Sequence, residues 1–279
     1  MVSGKRKNDD EKAKGRPPNR MMIAVGVMAL LCIGLAGILF LTDPNAPSNA
    51  LPTSHLAYVS DGQQYVLNLQ TGDRLLLENR VPADYRSRLS PDGDWIISWE
   101  LVTEYYEWSL VLKPATMPQA PETLMTCICY GTPLSWARDS HWVVFSALPD
   151  TASRDNMPDT MEELWMINIF TRESKRLTDN NFRDSGPAFS PDSSKIAYTS
   201  AADGYNRLYV MDVDTGQSRL LTPNMHGYNA TWSPDGQWIA FITTHLDYRG
   251  DIWIIRADGT GAQAITTGQT WDENPVWAP

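Results

Sequence analysis

Acidic side chains and tyrosines recur at one place in a repeated sequence pattern, and these residue types could bind a ligand. The pattern occurs four times and places its turn aspartate at Asp92, Asp139, Asp192 and Asp235. The candidate residues precede these turns or the matching C-terminal position: Asp84, Tyr85, Asp184, Tyr228, Asp272 and Glu273. Carboxylates and phenol groups gathered in one place can hold a cation or the basic end of a peptide. We therefore predict that these residues bind a ligand.

A second interpretation of the same residues is structural. Short acidic side chains often accept hydrogen bonds from the backbone of the loop that carries them. In that case the acids would cap loops and be solvated, and no ligand would bind there. The sequence alone leaves both interpretations open.

Motifs for catalysis are absent from the chain. It has no Gly-x-Ser-x-Gly elbow, no phosphate-binding glycine loop and no His-Glu-x-x-His. The four histidines lie at unrelated positions of the repeat, and of the three cysteines only Cys127 and Cys129 are near each other. Those two thiols could make at most a bridge within one strand or half of a metal site. We predict no catalytic residue, no metal and no cofactor.

The repeat predicts an all-β protein. Each copy has an aromatic residue or leucine before a Pro-Asp-Gly-type turn, and an alternating apolar strand follows. A second hairpin comes next, most clearly in the segments that begin at Arg207 and Asp251. Four antiparallel strands in about 45 residues correspond to one blade of a β-propeller.

The two ends of residues 55–279 complete each other. The segment from His55 matches the second strand of the unit, and the segment ending at Trp277 matches the first. Pairing Trp277 with Leu56–Val59 would close the ring and leave no exposed sheet edge there. We predict about five four-stranded blades closed by this pairing. The second blade, residues 86–130, is the most irregular, so the sequence also allows a sixth, half-formed blade.

A propeller built this way has two different faces. We name the four strands of a blade A to D in the order of the repeat. The turns between strands A and B and between C and D form one face, which we call the bottom face. The loops between B and C and between successive blades form the other, the top face. The predicted ligand-binding residues lie on the top face at the mouth of the central channel. Asp92, Asp192 and Asp235 are predicted as turn formers, and Trp136, Phe189, Trp232 and Trp277 as core residues.

The N-terminal region predicts a membrane anchor. Residues 21–42 carry no charge and are long enough to cross a bilayer, and seven Lys/Arg lie in the tail of residues 1–20. The positive-inside rule keeps that tail in the cytoplasm, so residues 43–54 form a linker and the propeller is extracytoplasmic. A cleaved signal peptide is the alternative, although its apolar region would usually be shorter.

One insertion stands out from the repeat. Residues 148–163 form an acidic top-face loop of 16 residues, far longer than its counterparts. Long loops without secondary structure are either functional or disordered. This one is either a docking arm or a disordered excursion.

The stretch Ala230–Phe241 (ATWSPDGQWIAF) resembles the signature of the TolB-like propeller repeats of bacterial envelope proteins. A similar repeat forms the propeller of dipeptidyl-peptidase-like enzymes, whose hydrolase domain has no counterpart here. The resemblance covers nearly all of residues 55–279 and implies the propeller fold. The best-known family member has six blades, an added α/β domain and no anchor, so its specific role does not transfer directly.

The preferred functional prediction is a non-enzymatic protein- or peptide-binding module on the outer side of a cytoplasmic membrane. After residue 20 the chain has 16 basic and 30 acidic residues, and such a domain repels nucleic acid. One alternative is a glycan- or peptide-active enzyme with carboxylates in the central channel. Another is a structural accessory subunit without a ligand.

Overall fold

The computed structural model describes residues 55–77, 87–103, 107–116, 120–129, 132–148, 162–244, 249–268 and 270–278. The predicted basic tail, membrane segment and linker lie outside these ranges, as do Asp84, Tyr85 and residues 149–161. Within the described ranges, no helix has the length and apolar character needed to cross a membrane.

The described strands form five four-stranded antiparallel sheets, as the repeat predicted. From the centre outwards, blade 1 contains β20 (Asp272–Ala278), β1 (His55–Ser60), β2 (Gln63–Asn68) and β3 (Arg74–Leu76). Blade 2 contains β4 (Ser87–Leu89), β5 (Trp95–Thr103), β6 (Glu107–Pro114) and β7 (Glu122–Ile128). Blade 3 contains β8 (Ser135–Trp136), β9 (Trp142–Ala147), β10 (Glu163–Asn168) and β11 (Ser174–Arg176). Blade 4 contains β12 (Asp184–Phe189), β13 (Lys195–Ser200), β14 (Arg207–Asp212) and β15 (Ser218–Leu220). Blade 5 contains β16 (Tyr228–Trp232), β17 (Trp238–Thr244), β18 (Gly250–Arg256) and β19 (Gln263–Ala264).

Blade 1 is assembled from both ends of the propeller sequence. Strand β20 pairs antiparallel with β1, and Trp277 lies opposite Leu56. The predicted ring closure is therefore confirmed. Both His55 and Ala278 lie at the bottom ends of their strands, because β1 runs from bottom to top and β20 runs from top to bottom.

The core lies between the blades, where the predicted core aromatics also join neighbouring innermost strands. Trp136 donates its indole N–H to the carbonyl of Arg88, Trp232 to that of Ala188 and Trp277 to that of Thr231, at 3.0–3.1 Å. Each bond runs to the preceding blade, so these side chains bury apolar surface and fix blade orientation together.

Phe189 occupies the same place in blade 4 and has no ring donor. There the backbone N–H of Phe189 donates to the Ser135 hydroxyl at 3.0 Å. All four aromatic residues of this register are buried, as predicted.

The Ser-Pro-Asp pattern forms the bottom turns for a specific reason. In the turn of blade 4, the Ser190 hydroxyl donates to Asp192 at 2.6 Å and accepts from the Lys195 backbone N–H at 3.0 Å. Chiefly because of the Ser190 bond, the pKa of Asp192 is lowered to about 2. Ser90 with Asp92 and Ser233 with Asp235 repeat the arrangement. The predicted turn role of these aspartates is confirmed.

Two bottom turns carry serine where the others carry glycine. Gly93 and Gly236 have positive φ, and so do Ser140 (59°) and Ser193 (62°), although serine has a Cβ that disfavours this conformation. Each serine hydroxyl accepts a backbone N–H from the preceding blade, Ser193 from Arg138 at 2.7 Å. The bond between blades offsets the local strain.

Cys127 and Cys129 lie at the end of β7 and are joined by a disulfide bond. Within the described residues, no group of three or more His, Cys, Asp or Glu could hold a metal ion.

Candidate ligand-binding face

The predicted ligand-binding residues that the structure describes lie where innermost strands begin at the top face. Asp184 is the first residue of β12, Tyr228 the first of β16, and Asp272 and Glu273 the first two of β20. Successive residues of a strand point in opposite directions, so neighbouring positions have different surroundings.

Asp184 is buried between blades 3 and 4, with only 1% of its surface exposed. Its Oδ2 accepts a hydrogen bond from Asn180 Nδ2 at 2.8 Å, whereas Oδ1 is buried without a hydrogen bond of good geometry. Burial raises the pKa of this carboxyl group above its usual value, although the hydroxyls of Ser200 and Thr178 partly favour the charged form. Asp184 therefore contacts the blade interface and does not stand open at the channel mouth.

Asp272 is the equivalent residue of blade 1 and is 2% exposed. Asp184 and Asp272 each lie near the tyrosine in the second strand of the same blade, Tyr198 and Tyr58 respectively. Burial, together with the negative charge of Asp184, raises the pKa of Tyr198 to about 12.

Blade 5 has glycine and phenylalanine where blades 1 and 4 have aspartate and tyrosine. A Cβ on Gly227 would lie 2.8 Å from Leu208 Cγ and 3.3 Å from the ring of Phe241. A side chain at position 227 would thus clash with Leu208 and Phe241. This exchange within the repeat supports a structural role for the buried aspartates.

Tyr228 and Glu273 lie together and are only half-buried. The ring of Tyr228 packs against the apolar core between blades 5 and 1. Burial raises the pKa of Tyr228, and the nearby negative charge of Glu273 raises it further. A Cβ on Gly250 would lie 3.6 Å from the Tyr228 hydroxyl and 2.8 Å from the Asp272 carbonyl, so only glycine fits under this group.

Exposed apolar side chains on the top face were not predicted from the sequence. The aromatic ones are Phe182, Tyr205 and Trp271, with exposures of 42%, 54% and 44%, and Leu101 and Val102 are exposed at the top end of β5. A pattern was present: each aromatic lies in a top-face loop that connects strands, where polar residues would suffice. Their common position on the top face makes this face the candidate interaction surface.

Trp271 is held in one orientation. Its backbone exchanges two hydrogen bonds with Asp61, N to Oδ1 and O to N, both at 3.0 Å. Its indole N–H donates to Glu273 Oε2 at 3.1 Å. The ring is therefore both exposed and fixed.

Tyr205 is held in a similar way by its neighbours. The ring packs edge-on against His226 with centroids 5.4 Å apart, and the Arg207 guanidinium lies 5.5 Å from it. Arg207 in turn pairs with Asp203 at 2.6 Å. Trp271 and Tyr205 are thus each held by contacts with neighbouring residues.

The end of the long insertion is anchored in blade 3. Glu163 is fully buried, and its carboxylate accepts hydrogen bonds from the Thr178 hydroxyl and the Asn180 backbone N–H. It also accepts a hydrogen bond from Arg176 and forms an ion pair with it. Residues 149–161 lie outside the described ranges, so the choice between docking arm and excursion stays a prediction.

The comparisons with known proteins agree with this architecture. Residues 155–279 match the family model of the TolB beta propeller domain. The predicted resemblance to TolB-like repeats is confirmed. Residues 155–279 therefore resemble a TolB beta propeller domain.

Among curated relatives, the Tol-Pal system protein TolB of Anaeromyxobacter sp. (strain K) is 32% identical over 91 residues, which is 33% of this chain. That match spans only 21% of the relative's length. An uncharacterised protein of Agrobacterium fabrum is 30% identical over 194 residues, covering 68% of this chain and 60% of the relative.

Solved structures show the same fold at low sequence identity. A putative TolB from Agrobacterium tumefaciens superposes with a TM-score of 0.56 at 19% identity and covers 76% of each chain. A puromycin-hydrolysing peptidase from Mycobacterium tuberculosis gives 0.51 at 12% identity, over 80% of this chain and 38% of the peptidase. At these identities the likeness establishes the TolB-like propeller fold alone.

Proposed function

We propose that this protein is a non-enzymatic binding module whose top face receives a protein or peptide partner at the bacterial cell envelope. The observation that carries the proposal is the exposure of three aromatic side chains on the top face, Trp271, Tyr205 and Phe182. Two of them, Trp271 and Tyr205, are held in place by contacts with neighbouring residues. Aromatic residues held rigidly at a surface are typical binding hot spots, because little conformational entropy is lost when they are covered.

The predicted site residues take different roles in this proposal. Tyr228 and Glu273 are accessible and contact the partner, whereas Asp184 and Asp272 support the strand ends from within the blade interfaces. Asp84 and Tyr85, at the equivalent position of blade 2, complete the predicted set. The TolB relatives, which are named as proteins of the Tol-Pal system, support a place at the cell envelope.

The decisive experiment is an affinity pull-down from detergent-solubilised membranes with the full chain. Trp271→Ala combined with Tyr205→Ala is compared with Phe170→Ala, which removes an equally exposed aromatic from the bottom face. Each variant must keep the wild-type melting temperature. We expect partner retention to fall at least tenfold for the top-face variant only, since hot-spot aromatics contribute about 2 kcal/mol or more. Equal retention by all three proteins would exclude the top face.

Anchoring by residues 21–42 is the second part of the proposal. It is supported by an uncharged stretch long enough to cross a bilayer behind a basic tail. The chain should stay in the membrane after an alkaline carbonate wash, and its propeller should be cleaved by protease added from the periplasmic side. Release of an intact propeller by the wash would favour the cleaved signal peptide instead.

The alternative of a propeller enzyme depends on accessible carboxylates with raised pKa values. Among the described residues, Asp184 is the carboxyl group whose pKa is raised, and it lies buried between two blades. Hydrolysis of a glycan or peptide substrate by wild type, abolished in Asp184→Asn, would favour the enzyme over the binding module.

A further inference from the structure

The surroundings of Trp271 define which chemical group fits beside it. Two backbone hydrogen bonds with Asp61 fix the main chain, and the indole N–H is already occupied by Glu273. A partner therefore meets the π face of the ring and not its donor edge. The π face of tryptophan carries negative charge density and attracts cations.

Glu273 adds a carboxylate at the edge of the same ring. Its Oε2 accepts the Trp271 N–H, and within the described part of the chain its Oε1 accepts no hydrogen bond. Tyr228 is close enough for the charge of Glu273 to raise its pKa, and its hydroxyl lies 3.6 Å from the position that a Cβ on Gly250 would take. An aromatic face, a carboxylate oxygen and a phenol thus lie side by side on the top face.

We propose that Trp271, Glu273 and Tyr228 form a binding site for an arginine side chain of the partner. This inference rests on the proposed function, in which the top face binds a protein or peptide. A guanidinium group is flat enough to stack on the indole, and its N–H donors can bond to a carboxylate in the same plane. The chain after residue 20 has 30 acidic and 16 basic residues, and this negative charge attracts a basic segment from a distance.

Other occupants fit this place less well. An acidic side chain would meet Glu273 and the general negative charge of the domain. A neutral aromatic would leave the carboxylate oxygen without a donor once water is excluded. A lysine can approach the ring, but as a compact, strongly hydrated ammonium it cannot stack and bond to the carboxylate in one plane.

The test uses the full chain in detergent micelles, labelled with 5-fluorotryptophan and observed by fluorine NMR. The Trp271 resonance is identified by its loss in Trp271→Phe. The probes are acetyl-Gly-Gly-Arg-Gly-Gly-amide and the same peptide with citrulline, which keeps the shape and removes the charge. We expect the arginine peptide to shift this resonance, and the citrulline peptide to bind about tenfold more weakly. No shift at about 10 mM arginine peptide, or equal binding of both peptides, would overturn the inference.

Two variants separate this inference from the proposed function. Glu273→Gln should weaken binding of the arginine peptide about tenfold, whereas Glu173→Gln, an exposed carboxylate of a bottom turn, should not. If the pull-down partner is lost with Trp271→Ala and fully retained with Glu273→Gln, top-face binding stands and arginine recognition is wrong. If no top-face variant affects the partner, both proposals fail.

Discussion

Closure of the propeller depends on strands β20 and β1, and Trp277 is the side chain whose removal tests this. Trp277 and Trp232 form a matched pair. Both are buried, and both donate the indole N–H to the carbonyl of a neighbouring innermost strand at 3.0 Å. They differ in connectivity: β16 is joined to β17 by the tight turn at Asp235, whereas β20 and β1 have no turn between them.

The expected loss follows from these contacts. Replacing a buried tryptophan by alanine costs about 3–5 kcal/mol, of which the indole hydrogen bond accounts for about 1 kcal/mol. In Trp232→Ala the turn keeps β16 beside β17, so the loss lowers the stability of the whole domain. In Trp277→Ala the pairing of β20 with β1 must be re-formed against the entropy of a long loop. Opening of this strand pair should then become easier than global unfolding.

Native-state hydrogen exchange followed by mass spectrometry distinguishes the two cases. We expect the amides of β20 and β1 to exchange through a local opening in Trp277→Ala, and those of β16 and β17 to exchange only through global unfolding in Trp232→Ala. Trp277→Phe keeps most of the apolar contact and should lie between wild type and Trp277→Ala. Similar protection of the two strand pairs in the two alanine variants would refute the idea that closure is the weak point.

Four further predictions concern the turns and the blade interfaces. Ser193→Ala loses a hydrogen bond between blades and keeps the positive φ, so urea denaturation should show a loss of about 1 kcal/mol; Ser193→Gly loses the same bond but relieves the strain, and should be nearly neutral. Asp192 has a folded-state pKa of about 2, below the usual 3.8, so its contribution to stability is present above pH 4 and disappears as the pH falls towards 2. Asp192→Asn should therefore cost about 1 kcal/mol at pH 7, allowing for solvent screening of this exposed group, and progressively less as the pH falls through about 2. The effect of Asp184 has the opposite sign, because its raised pKa makes the ionised form costly in the folded state. Asp184→Asn should therefore stabilise the protein at neutral pH, and this gain should decrease as the pH falls through the raised pKa and be absent below about pH 4. Gly227→Asp brings a Cβ within 2.8 Å of Leu208 Cγ and should lower stability by about 1–3 kcal/mol or more, and an unchanged denaturation midpoint would contradict the packing argument.

The fold was predictable from the sequence because four of the five blades repeat similar local signals. The Ser-Pro-Asp turn, the aromatic residue before it and the alternating strand after it recur at a period that only a propeller explains. The closing pair Leu56 and Trp277 could be predicted because the first strand of one unit and the second strand of another lay at opposite ends of the same sequence. The core role of Trp232 followed from its register.

The candidate site was only partly predictable, since a register does not say which way a side chain points. Asp272 and Glu273 are neighbours with similar chemistry, yet one is buried between blades and the other is accessible. Trp271 was not predicted as a site residue because the equivalent loops of the other repeats have no tryptophan at this position. Its orientation depends on Asp61, which lies 210 positions away and meets it only in the closed ring.

The alternation of a strand gives the top face a simple organisation. Burial alternates over three consecutive residues around the start of β12, β16 and β20, namely residues 183–185, 226–228 and 271–273. In each triplet the middle residue is buried: Asp184, Gly227 or Asp272. Its two neighbours are partly or largely exposed, so they can vary without disturbing the blade interface. The buried position must match the second strand, with tyrosine beside aspartate and phenylalanine beside glycine. In the proposed binding module, we therefore expect ligand specificity to depend on the residues that flank the buried position. Trp271 and Glu273 are one such flanking pair, which is why their chemistry, and not that of the buried acids, should decide which partner binds.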